Sequence, residues 1–457
     1  MTPKPIDFSI LRIPFRNTIL FFLCSLSFVT ARPCLAAQNP YGGQLVLATT
    51  SDPKSFNDIM AKETSTSMVT DQIFEGLTRM NVFTLKPEPN LAERWTVSPD
   101  GLEWTFFLRK DVVWSDGESF TADDVAFTFN DLIYNPDIPS SARDIYTLEG
   151  KIFQVEKVDD YTVKFILPVK FAPFLSGMSQ AILPKHKLEQ SVKEKKFTFT
   201  WGIDTDPKEI IGTGAYMLTE YRPGERLVFE RNPRYWKKSP EGNSLPYIKK
   251  QIYLIVQNAD TALLKFFDGE LDYFSLRGMD YKLLKPLESK KNFTLYDSGP
   301  AFGTNFIVFN QNSGVNPETK KTFVDPVKLK WFTNLDFRRA VAHAIDKQQI
   351  IEIVMDGLGY PQHSSMSPSS GFFYYPDVAM YDYGLNKARE ILAKAGFSDR
   401  DGDGWIEDSD GHIVQFNLST NSGSTERMQI AAIIRHDLQK LGMKVNFLGL
   451  EFNRIVQ

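Results

Sequence analysis

The sequence has few of the residues that carry covalent or metal chemistry. It contains two cysteines and five histidines in 457 residues. Both cysteines, Cys24 and Cys34, lie near the start of the chain, so the remainder has no thiol chemistry and no disulfide. The histidines are far apart in the sequence, so no local pair of metal ligands is expected. They are His186, His343, His363, His412 and His436.

Sequence motifs of common enzyme classes are also missing. The chain has no G-x-S-x-G, no H-E-x-x-H and no G-x-x-x-x-G-K-[ST] segment. Gly212–Gly214 (GTG) lacks the third glycine and the helix of a nucleotide-binding loop, and it predicts a tight turn into a strand. We therefore expect no enzyme, although a catalytic triad dispersed along the sequence leaves a secreted hydrolase as an alternative.

An excess of positive charge is absent as well. Lysine and arginine total 52 against 56 aspartate and glutamate residues, which gives a formal net charge of −4. Nucleic-acid binding requires a basic surface, so no nucleic-acid partner is expected. After residue 37, no stretch approaches the 18 consecutive apolar residues that indicate a membrane-spanning helix.

The first 37 residues have the layout of a secretory signal peptide. Basic residues that include Lys4 and Arg12 precede the apolar run Thr18–Thr30, and the small residues Ala36–Ala37 follow it. Since the run is too short to span a bilayer, we predict cleavage after Ala37, with an uncleaved anchor helix as the alternative.

Neither cysteine has the small preceding residue that lipidation of a bacterial lipoprotein requires. Cys24 follows Leu23, and Cys34 follows Pro33. The sequence therefore predicts a free periplasmic protein and no lipid anchor.

Strand and helix patterns mix along the rest of the chain, which predicts an α/β or α+β class. Predicted strands include residues 44–49, 110–114 and 269–274. Predicted helices include residues 68–77 and 425–441. We find no internal repeat of fixed period.

Several motifs resemble one known family. Leu91–Val125 (LAERWTVSPDGLEWTFFLRKDVVWSDGESFTADDV) resembles the signature of the family 5 extracellular solute-binding proteins, which include dipeptide, oligopeptide and nickel binders. Further matches lie along the chain in the order of the family. They are Phe74–Leu77 (FEGL), Ile211–Tyr216 (IGTGAY), Phe229–Trp236 (FERNPRYW), Leu245–Leu271 and Asp336–Asp346 (DFRRAVAHAID).

These motifs indicate a scaffold more than a ligand site. Gly76 and Gly117 allow backbone shapes that other residues resist. The tryptophans among them, such as Trp114 and Trp236, most simply fill a core. The motifs therefore identify the family and leave the ligand open.

The resemblance implies a mixed α/β fold of the type 2 periplasmic binding protein kind, with two lobes around a cleft, a hinge and an extra domain in the first lobe. Pro300–Asn310 is the candidate for the first crossover strand. Family members run on past the position of Gln457, so the second lobe is expected to be incomplete. The expected divisions are 1–37 for the signal peptide, 38–80 and 205–300 for the first lobe, 81–204 for the extra domain, and 301–457 for the second lobe.

The function that the resemblance implies is the periplasmic binding component of an ABC importer. Such a protein binds a short peptide or related solute, closes on it, and delivers it to the permease subunits in the inner membrane. We expect a monomer with no cofactor and no metal. The alternatives are a binder of nickel or another non-peptide solute, and the secreted hydrolase.

The candidate ligand contacts follow from position in the family. They are Glu63 and Thr64 in the first loop, and Thr304, Asn305 and Phe306 in the crossover strand. Strand alternation places Thr304 and Phe306 on one side and Asn305 on the other, so all five cannot line the cleft equally.

Aromatic residues are the second sign of a ligand site, with core packing as the alternative for each of them. Aromatic faces together with free backbone groups suit an extended peptide. The residues expected near the lip of the cleft are Phe302, Phe306, Phe309, Phe372, Phe373, Tyr374 and Tyr375.

Asp399–Asp410 (DRDGDGWIEDSD) resembles a calcium loop. Asp399, Asp401 and Asp403 occupy positions 1, 3 and 5, and Asp410 occupies position 12, where glutamate is usual. The flanks predict a helix end and a strand instead of two EF-hand helices. A solvated acidic turn is the alternative.

Overall fold

The structure is a computed structural model that describes residues 40–61 and 63–456. The predicted signal peptide and both cysteines lie outside the described residues. Strands β1 to β14 are Gly42–Thr49, Thr78–Met80, Pro87–Pro89, Ala92–Val97, Glu103–Leu108, Thr147–Leu148, Lys151–Ile152, Gln154–Asp159, Thr162–Ile166, Tyr216–Arg222, Arg226–Arg231, Ile248–Ile255, Gln415–Asn421 and Lys444–Leu450.

Helices α1 to α13 are Thr64–Ile73, Ala122–Ala126, Ala142–Ile145, Phe174–Gly177, Lys185–Lys193, Ala259–Phe267, Gly278–Leu284, Pro326–Thr333, Leu335–Ala344, Lys347–Val354, Leu385–Lys394, Thr425–Gln439 and Phe452–Val456. A π-helix, Phe127–Ile133, continues α2. Short 3-10 helices are Asp58–Met60, Phe197–Phe199, Pro207–Glu209, Lys285–Leu287 and Pro368–Phe373. No helix among these described residues is long and apolar enough to cross a membrane.

The first sheet has the strand order β1-β12-β11-β10, in which β1 and β12 are parallel and the other pairs are antiparallel. Alternation along β1 gives the sheet two apolar faces. Leu47 packs toward the large first core, whereas Val46 and Ala48 face a small cluster with Ala262 of α6. The sheet is therefore covered on both faces, and α6 packs on the face that carries the small cluster.

The second sheet, β4-β5-β9-β8, is wholly antiparallel and shares the first core. Its inner face is aromatic: Phe165 contacts Phe129 at a centroid distance of 5.0 Å and Phe174 at 5.6 Å. Such edge-on contacts between rings add to the burial of their area. One continuous core therefore joins the two sheets.

The last part of the chain builds a second core. The parallel strands β13 and β14 are joined by α12 and covered by α8 to α11. Phe337 and Ala340 of α9 are fully buried there. The alternation of helices with parallel strands confirms the mixed α/β class predicted from the sequence.

Two predicted strands are wrong. Residues 110–114 contain only a single bridge, between Val113 and Ser119. Residues 269–274 meet the edge of β1 at one point, where the Asp272 amide donates to Val46 O at 2.9 Å and the Val46 amide donates to Asp272 Oδ2 at 2.7 Å. Because a side-chain carboxylate replaces the next backbone carbonyl, the ladder does not extend.

Candidate functional site

The family-like motifs meet at one place in the first core. Glu75 of the FEGL segment accepts hydrogen bonds from Tyr235 Oη at 3.1 Å and from Trp236 Nε1 at 2.9 Å. Burial raises the pKa of Glu75, and the two donors oppose that shift. The guanidinium of Arg109 lies over the Trp236 ring at 4.3 Å. We call this group of residues, with the glycines described next, the motif junction.

Three glycines of the motif junction are required by close approach of backbone segments. A Cβ at Gly212 would lie 2.0 Å from Ile73 O, and a Cβ at Gly214 would lie 2.6 Å from Gln72 O. A Cβ at Gly76 would lie 2.4 Å from the backbone of Ser179. Glycine at position 76 is therefore required by close packing and not by an unusual backbone shape, which corrects the expectation for this residue. Gly117, with φ of 106°, has the unusual backbone shape that was expected. The GTG segment packs on the end of α1.

The first candidate contacts lie at the start of α1. Glu63 is buried and its carboxylate accepts a hydrogen bond from the Thr66 hydroxyl, whereas Thr64 is exposed. Helix α1 starts earlier than predicted and ends at Ile73, since Phe74 to Leu77 turn away to form the motif junction. Of the two residues, Thr64 has the side chain that solvent reaches.

Two carboxylates influence each other at α1: Asp71 belongs to the helix, and Asp58 belongs to the 3-10 helix before it. Asp58 accepts from Thr70 Oγ1 at 2.7 Å and from Gln180 Nε2 at 3.0 Å, and burial raises its pKa. Asp71 is exposed to solvent, but partial desolvation by its neighbours, and then the charge of Asp58, raise its pKa to about 6. The carboxyl groups of Asp58 and Asp71 therefore bind protons more tightly than ordinary aspartate side chains do.

The other candidate contacts lie in residues 300–310, which belong to no strand of the described chain. Burial still alternates along this segment: Ile307 and Phe309 pack on the second core, whereas Phe306 is 80% exposed and Val308 is 73% exposed. The backbone is therefore extended as predicted, but it has no ladder partner. Residues 300–310 thus form no strand in the described chain, and their role as a crossover between lobes stays a prediction.

Asn305 is held by the start of α12. Its Nδ2 donates to Glu426 Oε1 at 2.7 Å, and its Oδ1 accepts from Arg427 Nε at 3.3 Å. Thr304 and Phe306 lie on the opposite side of the segment by alternation. Within the described residues, no hydrogen bond joins these three residues to Glu63 or Thr64, so the five stay predictions as ligand contacts.

The expected aromatic residues divide between surface and core. Phe309 is a core residue, since its ring lies 5.0 Å from that of Phe332. Phe302, Phe372 and Tyr375 are exposed, and Phe372 is 96% exposed. The exposed set therefore offers apolar ring faces to a ligand or partner, and Phe309 does not.

Residues 368–375, which carry the exposed rings Phe372 and Tyr375, contact two other segments of the chain. The Ser369 hydroxyl donates to Pro300 O, next to the extended segment. Gly371, with φ of 57°, lies against Leu85, because a Cβ there would be 3.4 Å from Leu85 Cδ1. Leu85 belongs to the turn between β2 and β3. The loop therefore links the second half of the chain to the first.

The acidic loop brings together a different set of residues than predicted. Carboxylate oxygens of Asp399, Asp401, Asp403 and Glu407 lie within 4.8 Å of one another. Asp410 is not among them; Lys330 Nζ binds its Oδ2 at 2.6 Å. The reason is that Ser398 pairs with Glu407 and closes the turn before residue 410. Glu407, at position 9, was missed, and calcium binding stays a hypothesis.

The neighbouring Asp408 is a structural carboxylate. Burial opposes its ionisation, but hydrogen bonds from Trp331 Nε1 at 2.8 Å and from the backbone amides of His412 and Asp410 lower its pKa to about 2. These donors occupy the carboxylate, which therefore ties α8 to the turn of residues 408–412 before β13.

Comparison with known proteins gives a consistent result. Residues 86–457 match the model of the bacterial extracellular solute-binding proteins, family 5 Middle. A "Probable ABC transporter-binding protein" of Deinococcus radiodurans is 30% identical over 91% of this chain and 70% of that protein.

Solved structures share the fold. The oligopeptide-binding protein AppA of Bacillus subtilis, in complex with a nonapeptide, has a TM-score of 0.76 and 27% identity over 91% of this chain and 76% of its own. The periplasmic binding protein MelB of Agrobacterium fabrum, in complex with stachyose, has a TM-score of 0.73 and 26% identity over 91% of this chain and 65% of its own.

Proposed function

Because the chain belongs to the bacterial extracellular solute-binding proteins of family 5, we propose that it binds a short peptide outside the inner membrane and delivers it to an ABC permease. The main support for a peptide ligand is the similarity to AppA along 91% of the chain, since that structure holds a nonapeptide. The relatives are binding proteins, and we propose no covalent step here. The chain acts as a monomer, free in the periplasm after removal of residues 1–37.

The proposed divisions follow the two sheets and the second core. The first sheet supports a first lobe of residues 38–80 and 205–300, and the second sheet supports an extra domain of residues 81–204. The second core supports a second lobe of residues 301–457. A ligand that contacts both lobes stabilises the closed arrangement, because only differential contacts shift such an equilibrium.

The extended segment supports a peptide as ligand. Residues 300–310 are extended and unpaired, and the rings of Phe302 and Phe306 are exposed. A peptide strand can pair with free backbone groups while its side chains pack on neighbouring rings. We propose Thr304 and Phe306 as ligand contacts in the extended segment, and Glu63 and Thr64 as ligand contacts at the start of α1.

A second candidate is an oligosaccharide. The similarity to MelB, whose structure holds stachyose, favours it. Exposed rings such as Phe372 suit the apolar faces of sugar rings as well as they suit peptides. The two candidates differ in how they use the backbone of residues 300–310, since a peptide can pair with it as a strand and a sugar cannot.

A thermal-shift experiment tests the proposal. The chain is heated with dipeptides, with nonapeptides of mixed sequence, and with stachyose. Binding at 100 times Kd stabilises the folded state by about 2.7 kcal/mol, so a peptide ligand should raise the melting temperature by several degrees. Stabilisation by stachyose and by no peptide would contradict the peptide proposal and support the second candidate.

A further inference from the structure

Helices α6 and α7, which follow the first sheet, contact two elements of the second core. The start of α6 meets residues 421–425, between β13 and α12. The start of α7 meets residues 355–356, at the end of α10. We call these two contacts together the core contact. Here the first half means the first sheet with α6 and α7, and the second half means the elements around the second core. Backbone atoms of the two halves lie against each other at both places.

The backbone of the core contact is packed without space for side chains. The Ala259 amide donates to Gly423 O at 3.3 Å. A Cβ at Gly423 would lie 2.3 Å from Gln257 O, and a Cβ at Gly278 would lie 2.3 Å from Met355 O. Neither glycine has a left-handed φ. Both positions therefore require glycine for the approach of the two halves and not for backbone shape.

A polar network crosses the same contact. Thr425 Oγ1 of α12 donates to Asp260 Oδ2 of α6 at 2.7 Å. Arg277 Nη2 binds Asp260 Oδ1 at 2.7 Å and Asp280 Oδ1 at 2.6 Å. The Arg277 and Asp280 side chains are only 12% and 4% exposed. Low exposure strengthens the charge-assisted bond between Arg277 and Asp280, whereas Asp260 is 50% exposed.

The network gives the Thr425 hydroxyl a distinct position. Arg277, Asp260 and Asp280 all come from one side, so their ion pairs persist when the two halves separate. When the halves separate, the hydrogen bond from Thr425 to Asp260 must break. The ion pair between Lys282 of α7 and Asp356 must also break, but Lys282 is 74% exposed. The hydrogen bond on Asp260 and the charge of Arg277 also lower the pKa of Asp260, which keeps it an ionised acceptor.

We propose that the core contact is the latch that sets the separation of the two halves and thereby the affinity for ligand. The two glycines fix how close the backbones come, and the Thr425 hydroxyl holds them together. A small displacement here is amplified at the far ends of both halves, as in hinge motions. The affinity part rests on the proposed function, whereas the separation can be measured without any ligand.

The test is a distance measurement between the halves in the full chain without ligand. Spin labels are attached at Lys151→Cys and Lys394→Cys, two exposed positions, after Cys24 and Cys34 are changed to Ser. Gly423→Ala should shift the distance distribution to longer values and reduce the population of the parent distance. Pulsed electron-spin resonance reads both quantities, and circular dichroism confirms folding.

Matched variants distinguish loss of the latch from general destabilisation of the fold. Gly384→Ala is the glycine control, because its Cβ would meet only Lys387 Cβ at 3.6 Å. Thr425→Val should shift the distribution in the same direction as Gly423→Ala, and Thr425→Ser, which retains the hydroxyl, should restore the parent distribution. If Gly423→Ala does not fold, the comparison of Thr425→Val with Thr425→Ser tests the latch by itself. Unchanged distances in folded Thr425→Val would overturn the proposal.

The affinity consequence is measured separately. If Thr425→Val reduces the binding-competent population to about one tenth, the apparent Kd for a nonapeptide should rise about tenfold. A shifted distance distribution with unchanged peptide affinity would overturn the affinity part alone. If neither Thr425→Val nor the parent bound any peptide, the proposed function would fail, while the distance result would still decide whether the latch exists.

Discussion

The motif junction and the extended segment 300–310 are built in opposite ways. In the motif junction, Glu75 is paired by two donors and Gly212 touches the backbone of α1. In the extended segment, the backbone lies outside any strand and Phe306 is 80% exposed. The contrast teaches that the motifs which identify the family maintain the scaffold, whereas surface available for a ligand lies where no such motif is found.

The largest effect should come from filling the space at Gly212. In Gly212→Ala, the new Cβ would lie 2.0 Å from Ile73 O, and a backbone carbonyl cannot move aside as a side chain can. We expect a loss of about 3 kcal/mol in the free energy of unfolding, measured by urea denaturation. Gly303→Ala in the extended segment, which has no neighbour within 4 Å, should change it by less than about 0.5 kcal/mol. Equal losses in the two variants would remove the contrast.

Removing one donor from Glu75 should have the next largest effect. Trp236→Phe leaves a half-buried carboxylate without one of its hydrogen bonds, which costs about 2 kcal/mol. Glu75→Gln replaces the half-buried carboxyl group with a neutral amide that keeps an acceptor, so its loss should be smaller. Both are measured by urea denaturation at pH 7. A larger loss in Glu75→Gln would show that the charge itself stabilises the junction.

The pH dependence should differ between the cores. The folded pKa of Asp71 is about 6, above its ordinary 3.8, so between pH 4 and pH 6 the folded state binds more protons than the unfolded state. Stability therefore falls as pH rises through this range, and Asp71→Asn should reduce that fall. Asp377→Asn, which removes another exposed carboxylate, serves as the control. Asp408 has the opposite sign: its stabilising effect is lost as pH falls from 3.8 toward about 2.

The smallest effect on stability should come from the extended segment. Phe306→Ala removes an exposed ring, so the free energy of unfolding should change by less than about 0.5 kcal/mol. Peptide affinity should fall about tenfold, because truncation of an aromatic contact commonly costs more than 1 kcal/mol. Tyr296→Ala, which removes an exposed ring outside the segment, should alter neither quantity. Equal affinities of Phe306→Ala and the parent would remove Phe306 from the site.

Much of the fold could be predicted from local pattern. Helix α12 begins at Thr425 as predicted, and Ser424 caps it by accepting from the Arg427 amide. The predicted strand at residues 269–274 failed, since only the edge of β1 determines how Asp272 is bonded. The helix predicted at residues 68–77 ended four residues early, because Glu75 bonds to Tyr235 and Trp236 far along the chain.

The candidate site was harder to predict for the same reason. The sequence placed Asp410 in the acidic loop, but pairing of Ser398 with Glu407 substitutes Glu407 for it. Exposure of Phe306 and burial of Phe309 depend on the second core and not on the segment itself. The lobe boundaries and the five ligand contacts remain predictions.

The most direct test is calorimetric titration of a nonapeptide into the parent chain, Trp236→Phe and Phe306→Ala, with the melting temperature of each. We predict binding to the parent, an unchanged affinity with a lower melting temperature for Trp236→Phe, and a weaker affinity with an unchanged melting temperature for Phe306→Ala. A parent chain that binds no peptide, or a Phe306→Ala variant that loses stability and keeps its affinity, would contradict the assignment of scaffold and ligand contact.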